Sequence, residues 1–427
     1  MDKNEKHLDV YEERYELHQN GKTLVYYQGL QNKETQKRYV KINQILTDGY
    51  LEKLYDSVQR TNFSGLTEKN RNLLCNIVDG VTSEVGRALV GLTFLQLTIK
   101  SIAPNQSIRL HKGTMRKGSF SWVDGISMRT IDSTYITPFL REHELLNLNK
   151  YGLFMTRSLA ENYPYSSLYK AEMRGSFNEW IMIVDAIEDG TMPAEQGLLY
   201  MMSLLRNRSD KFKKNADLAC NLVSGCKEKS FDFIEELILE FVDNTEYSAR
   251  AFEVAMHSFF QAMGELHYLS DAEVVPISQM RSANKKHGNV GDIELAENGV
   301  IFEAWDAKYG KPYLRDELEE LRDKLLKYPG VITAGFVVDT AVDMRKDIAV
   351  RKKDIEMETG TQIFLFSFNE WIKYETGNLT IQQKSEIGYR WIFDMVESFA
   401  RKRLRIAPID EPCDAWIEDL INILQKC

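Results

Sequence analysis

Cysteine is sparse in this 427-residue chain and shows no organised spacing. Cys75, Cys220, Cys226, Cys413 and Cys427 have no paired metal-ligand spacing, and an odd count argues against a disulfide framework. A reduced cytoplasm is the expected compartment. No uninterrupted apolar run reaches the roughly 18 residues that a membrane span needs, so no membrane partner is expected. The opening Met1-Asp2-Lys3-Asn4-Glu5-Lys6 is polar and of mixed charge, unlike a secretory signal. There is no Pro/Gly/Ser-rich linker, internal repeat or low-complexity tract. A Gly-x-x-x-x-Gly-Lys-Ser/Thr loop is also missing, which argues against an ATP-driven motor on this chain.

What is there is a globular composition, 43% hydrophobic and 27% charged, in a chain long enough for two domains. The pattern is mostly helical up to about residue 240 and alternates helix with strand beyond it. This predicts a helical region over 1–240 and an α/β domain over 241–427. Residues 1 to about 40 read as a surface helix and loop. Helical spacing covers 43–59 and 66–102, then 125–147 with an interruption near Pro138. Two further helices, over 177–205 and 218–243, flank a polar basic run at 207–214.

Charge is unevenly spread. The net charge is −9, yet no acid occurs between Glu84 and Asp124, so a local basic surface remains open to the chain. Within that stretch Arg109, Lys112, Arg116 and Lys117 accompany two glycines and several hydroxyls, a composition suited to phosphate contacts. The competing reading is a solvated basic loop. A second basic and aromatic cluster follows with Arg157, Tyr163, Tyr165 and Tyr169. Asn162-Tyr163-Pro164-Tyr165 is similar to the Asn-Pro-Pro-Tyr loop of amino-methyltransferases. It lacks the first proline, and no glycine-rich cofactor loop accompanies it, so that chemistry is set aside.

The second region carries the chemistry. A helix over 249–266 has Phe252, Met256, Phe259 and Met263 on its apolar stripe, with Glu253 beside them. A basic loop containing Lys285 and Lys286 leads to Gly291-Asp292-Ile293-Glu294. After a turn at Glu297-Asn298-Gly299, Val300–Trp305 reads as a buried strand. Alternation then places Asp306 and Lys308 on one face and Ala307 on the other. Next come an amphipathic helix over 311–328, strands over 331–338 and 363–368, and a long helix over 381–405. Two converging carboxylates, Asp292 and Asp306, are hard oxygen ligands of the kind Mg²⁺ prefers. A lysine two residues on is placed to orient water and offset phosphate charge. The bland readings are a strand-end salt bridge and, for Glu253, a charge near a helix N-terminus. Glu303 faces away from Asp306, and Glu294 joins Asp292 only if that segment is extended.

Asp292 followed by Asp306-Ala307-Lys308 resembles the PD-(D/E)xK motif of metal-dependent nucleases, with Gly-Asp in place of Pro-Asp. Arg250-Ala251-Phe252-Glu253 resembles the start of the helix that supplies a further acid in many of them. The resemblance spans roughly 249–368. It implies a helix-rich N-terminal region followed by a restriction-endonuclease-like core, a central mixed sheet flanked by helices. It further implies Mg²⁺ held by Asp292 and Asp306, water oriented by Lys308, support from Glu253, and hydrolysis of double-stranded DNA to 5′-phosphate and 3′-hydroxyl ends. Joined to a large basic and aromatic region, such a core looks like a type II restriction endonuclease, typically a homodimer, in a system with a separate cognate DNA methyltransferase. Arginines able to fork onto guanine, Arg129, Arg157 and Arg174, are the candidate base readers. The alternatives are another nuclease on the same core, for repair, transposition or phage defence, and a non-catalytic DNA-binding protein.

Overall fold

Two compact units, Met1–Asp210 and Lys211–Cys427, make up the chain. The computed structural model describes residues 6–19, 21–82, 84–146, 157–171, 173, 175–227, 229–277, 289–401 and 413–427. The sequence predicts a helix and loop at the start, but the first unit opens on an antiparallel sheet of β1 (His7–Val10), β2 (Arg14–Gln19) and β3 (Lys22–Tyr27). Tyr15, Leu17 and Gln19 alternate inward with Arg14, Glu16 and His18, a period of two in a segment too polar to stand out. Gly21, immediately before β3, adopts φ +69°, a left-handed conformation that glycine takes without strain.

Helices complete this unit: α1 (Lys33–Thr47), α2 (Tyr50–Ser57), α3 (Glu68–Asp79) and α4 (Glu84–Ile102). Asn32 and Thr67 start α1 and α3 by accepting hydrogen bonds from the Thr35 and Asn70 N–H groups, which satisfies otherwise unpaired helix donors. Within α4, Val85–Ile102 has a mean hydropathy of 1.2 and the length to cross a bilayer, but 83% of it is buried inside the fold. Arg87 and Lys100 interrupt the run, which is why no such stretch stands out in the sequence. Around Pro138, α5 (Met128–Ile131) and α6 (Thr137–Glu142) flank a π-helical turn, Asp132–Ile136. Then come α7 (Phe177–Glu188) and α8 (Ala194–Ser224). The polar run 207–214 does not break α8, whose residues from Lys211 onward belong to the second unit, with Phe212, Ala216, Ala219 and Val223 buried in that unit's core.

The second unit contains α9 (Phe231–Asn244), α10 (Ser248–Glu265), β4 (Glu273–Val274), β5 (Ile293–Glu297), β6 (Val300–Lys308) and α11 (Arg315–Leu325). It continues through β7 (Thr333–Val338), α12 (Lys346–Thr359), β8 (Gln362–Ser367), α13 (Phe368–Thr376), α14 (Ile381–Arg401) and α15 (Cys413–Leu424). The division therefore falls at 210/211 rather than near 240. Helix α9 belongs to the second unit because Phe231, Ile234, Ile238 and Phe241 share a core with α10, α14 and α15. Helical periodicity marks a buried face but not the core it joins.

The five strands run in the order β4-β5-β6-β7-β8, antiparallel from β4 to β6 and parallel from β6 to β8. Helices cover both faces. Trp305 and Ile293 pack with α10 and α14, whereas Ala304, Phe336 and Ile363 pack with α11 and α12. Asn298 and Gly299 both adopt positive φ, 52° and 78°, as the type I′ hairpin between β5 and β6 requires. One bulge interrupts that hairpin. Leu295 faces Glu303 and Ala296 faces Ile301, leaving Phe302 as the extra residue. All five cysteines are free thiols.

One acid opposes this packing. Glu375 on α13 has an Oε1 out of solvent contact that accepts no hydrogen bond among the described residues. Burial pushes its carboxyl well above the usual range, the Glu303 charge adds to this, and the Trp371 indole offsets part of it. A carboxyl raised on folding costs stability as pH rises above its unfolded value. Glu375→Gln should therefore stabilise the protein by about 1 kcal/mol near neutral pH, with the gain vanishing near pH 4. Calorimetric melts across that range test this.

Candidate active site

The site is built where the start of β5 meets the end of β6. Gly291 lies so close to β6 that a Cβ there would stand 2.8 Å from the Trp305 carbonyl oxygen and 3.0 Å from its nitrogen. Only glycine allows this approach, which accounts for the glycine before Asp292. The Asp292 N–H then donates to Asp306 Oδ1 at 3.0 Å, and the Ala307 N–H donates to Asp292 Oδ2 at 3.1 Å. Each carboxylate is thus held by the backbone of the opposite segment. Carried one pair beyond Ile293↔Trp305, the register sets Asp292 opposite Asp306.

Two further residues hold the turn. Glu294 Oε1 accepts from the Val290 and Gly291 N–H groups at 2.6 and 3.4 Å, and Lys324 Nζ of α11 donates to the Val290 carbonyl at 2.9 Å. Lys324 Nζ also stands 4.0 Å from Asp306 Oδ2, and Lys308 Nζ 3.4 Å from the same oxygen. Lys308 extends along the Phe336 ring, 5.7 Å from its centroid. From α10, Glu253 forms an ion pair with the buried Arg250. His257, one turn on, bonds the Val275 carbonyl instead.

The electrostatics confirm the convergence. Burial raises the Asp292 carboxyl well above its usual range, with the Asp306 and Glu253 charges adding to it, while Lys308 and the Ala307 N–H pull the other way. Burial also raises Glu253, against the opposing pull of Arg250 and with a contribution from Asp306. Burial alone would lower the Lys308 ammonium, but the Asp306 and Asp292 charges outweigh it and keep the group cationic. Desolvated like charges of this kind are relieved by a divalent cation, so the donor set fits Mg²⁺ at Asp292 and Asp306. Among the described residues, however, the group of three His, Cys, Asp or Glu side chains whose ligand atoms all lie within 4.8 Å of one another is His7, Asp9 and His18. Glu253 is paired with Arg250, and its charge adds to the negative field at Asp292.

Asp292, Asp306 and Lys308 are therefore together, with Glu253 close enough for its charge to be felt. Glu303 turns away and accepts from the Trp305 indole at 2.7 Å. Sequence reasoning overlooked Arg250 and Lys324 and set Glu294 aside. Arg250 was legible as the third residue before Glu253, whereas Lys324 had no signal within its own solvated-looking helix.

The basic stretch of the first unit is mostly structural. Arg109 is buried, where it forms an ion pair with Asp185 and donates to the Tyr165 carbonyl, so it is not available to a phosphate. Lys112 bonds the Ala160 carbonyl and Asn162 Oδ1, and burial lowers its pKa. Their partners lie far along the chain, which a local shortage of acid does not reveal. Arg116, Lys117 and Arg129 are exposed. Arg174, Lys285 and Lys286 lie outside the described residues, as does the side chain of Arg157.

No protein-family model matches the chain, and no match appears among curated proteins.

Neutralising Asp292 should relieve the buried repulsion. In the absence of divalent metal, Asp292→Asn is expected to raise the melting temperature at neutral pH by roughly 2–4 °C, equivalent to about 1 kcal/mol in a unit of this size. Added Mg²⁺ should stabilise the wild type and leave the variant unmoved. Melts with and without chelator check both.

Proposed function

We propose that the chain is a Mg²⁺-dependent DNA endonuclease of the PD-(D/E)xK type. The observation that carries this reading is the meeting of Asp292 and Asp306 through reciprocal backbone bonds, with Lys308 paired to Asp306, at the end of β6. The order of elements supports it too: the helix bearing Glu253, the Gly-Asp turn, the Asp-x-Lys strand, an amphipathic helix and a parallel strand. Asp292 and Asp306 would hold the metal, which when bound supplies Lewis-acid polarisation of the scissile phosphate and a more acidic water. Lys308, kept as an ammonium by its two neighbours, orients the attacking water and offsets charge growing on the phosphate oxygens. Glu253 and Arg250 set the charge balance behind the pair, and Glu294 with Lys324 fixes the turn. The water oxygen bonds to phosphorus as the P–O3′ bond breaks, leaving a 5′-phosphate and a 3′-hydroxyl.

The finer reading is a type II restriction enzyme of the reducing cytoplasm. It would act as a homodimer on double-stranded DNA, with a separate cognate methyltransferase in the same system. Plasmid digestion with Mg²⁺ tests both levels: discrete fragments with uniform ends indicate site-specific cleavage, and a smear indicates a different nuclease on this core. Asp306→Asn and Lys308→Ala are each expected to lower cleavage at least about 10²–10³-fold while retaining the fold. An inert wild type would leave a strand-end salt bridge and a non-catalytic protein.

Binding should separate from chemistry. The log of DNA affinity should fall with log salt at about 0.9 per phosphate neutralised, and replacing Arg116 and Lys117 together should flatten that slope by up to about two. Filter binding at several salt concentrations, in chelator, measures it. An unchanged slope assigns both residues to solvent.

A further inference from the structure

We infer that the first unit carries a transition-metal site at His7, Asp9 and His18, independent of the carboxylate site in the second unit. The β1–β2 register sets His7 directly opposite His18, and Asp9, two residues beyond His7, shares their face of the sheet. Asp9 Oδ2 lies 3.2 Å from His18 Nε2 and 3.6 Å from His7 Nε2. All three donor atoms lie within 4.8 Å of one another. Donors bound to one ion at about 2.1 Å stand roughly 3.0–3.4 Å apart for octahedral to tetrahedral angles, close to the two separations found here.

The two imidazole rings stack at 4.1 Å between centroids and 11° between planes, so an ion held in the plane of His18 is bound by His7 once that exposed ring turns out of the stack. His18 Nδ1 is 3.0 Å from Thr23 Oγ1 on β3. With Nδ1–H donating to that hydroxyl, Nε2 carries the lone pair, as a metal ligand must. His18 Nε2 is buried and forms no hydrogen bond with the described residues, although it stands beside a carboxylate. One divalent cation would satisfy that lone pair and the Asp9 carboxylate together, with His7 as the third ligand.

Two imidazoles and one carboxylate select zinc, nickel, cobalt or copper over Mg²⁺, which prefers all-oxygen surroundings. The ion would tie the start of β1 to β2.

Titrating the metal-free full-length chain with Co²⁺, followed by its visible absorption, and with Zn²⁺ by calorimetry tests the site. One equivalent is expected to bind with a ligand-field band that millimolar Mg²⁺ does not displace. Asp9→Asn and His18→Gln should each weaken binding at least about 100-fold, and Thr23→Val about tenfold through the lost orienting bond. Asp306→Asn should leave this equivalent in place, which separates the site from the proposed nuclease centre. Both substituted ligand side chains are partly exposed, and circular dichroism verifies that the variants fold. Absence of saturable binding by the wild type, or full affinity in both Asp9→Asn and His18→Gln, would falsify the site.

Discussion

Two backbone hydrogen bonds hold the second unit's site together, one from each segment to the other's carboxylate. Asp292 and Asp306 would repel each other if brought into a desolvated corner by packing alone. The N–H groups of Asp292 and Ala307 answer one oxygen on each, and Lys308 with Lys324 answers the remaining charge on Asp306. A backbone donor cannot rotate away as a side chain does, so only the two acceptor carboxylates lose side-chain freedom in these bonds. What is left over is Asp292, whose carboxyl is raised by burial and by the Asp306 and Glu253 charges, a desolvated like-charge contact of the kind a divalent cation relieves. The contact is local, and the aromatic packing of Trp305, Phe259, Trp371 and Trp391 behind it provides the rigidity that sustains it.

Much of this second unit was legible in the sequence because its signals are local. A run from Val300 to Lys308 shows its strand by apolar content and its face by alternation, and Asn298-Gly299 declares its hairpin. The mixed sheet with helices on both faces follows from alternating elements. The helices that build it were less legible, since α9 shows a buried face without naming a partner. At the other end of the chain, β2 has an equally strict alternation, but its outward residues are polar and its inward set ends in Gln19. A window tuned to apolar content passes over such a strand, and the His7, Asp9 and His18 cluster was lost with it.

The basic stretch before Asp124 illustrates a different limit. Lacking acids nearby in sequence, it resembles a free cationic surface. In the fold, Arg109 meets Asp185 and Lys100 meets Glu188 at 2.9 Å, because a buried cation must recruit a counter-charge from wherever the chain passes. Exposed charge is therefore confined to the tip of the stretch, at Arg116 and Lys117. A surplus of one sign along the chain marks a place where long-range pairing is needed as readily as a place where a ligand binds.

The single extra residue at Phe302 has a consequence for how this chain can vary. With regular pairing from the Asn298-Gly299 turn onward, Asp292 would sit opposite Trp305, a side chain on the far face of the sheet. The bulge advances the register by one and brings Asp306 into that place. The hairpin thus works as a ruler whose length is counted in whole residues. Loss or gain of one residue between Ile293 and Trp305 would part the carboxylates while leaving every ligand in the sequence, so a motif search would still find the pair in a chain that no longer brings it together.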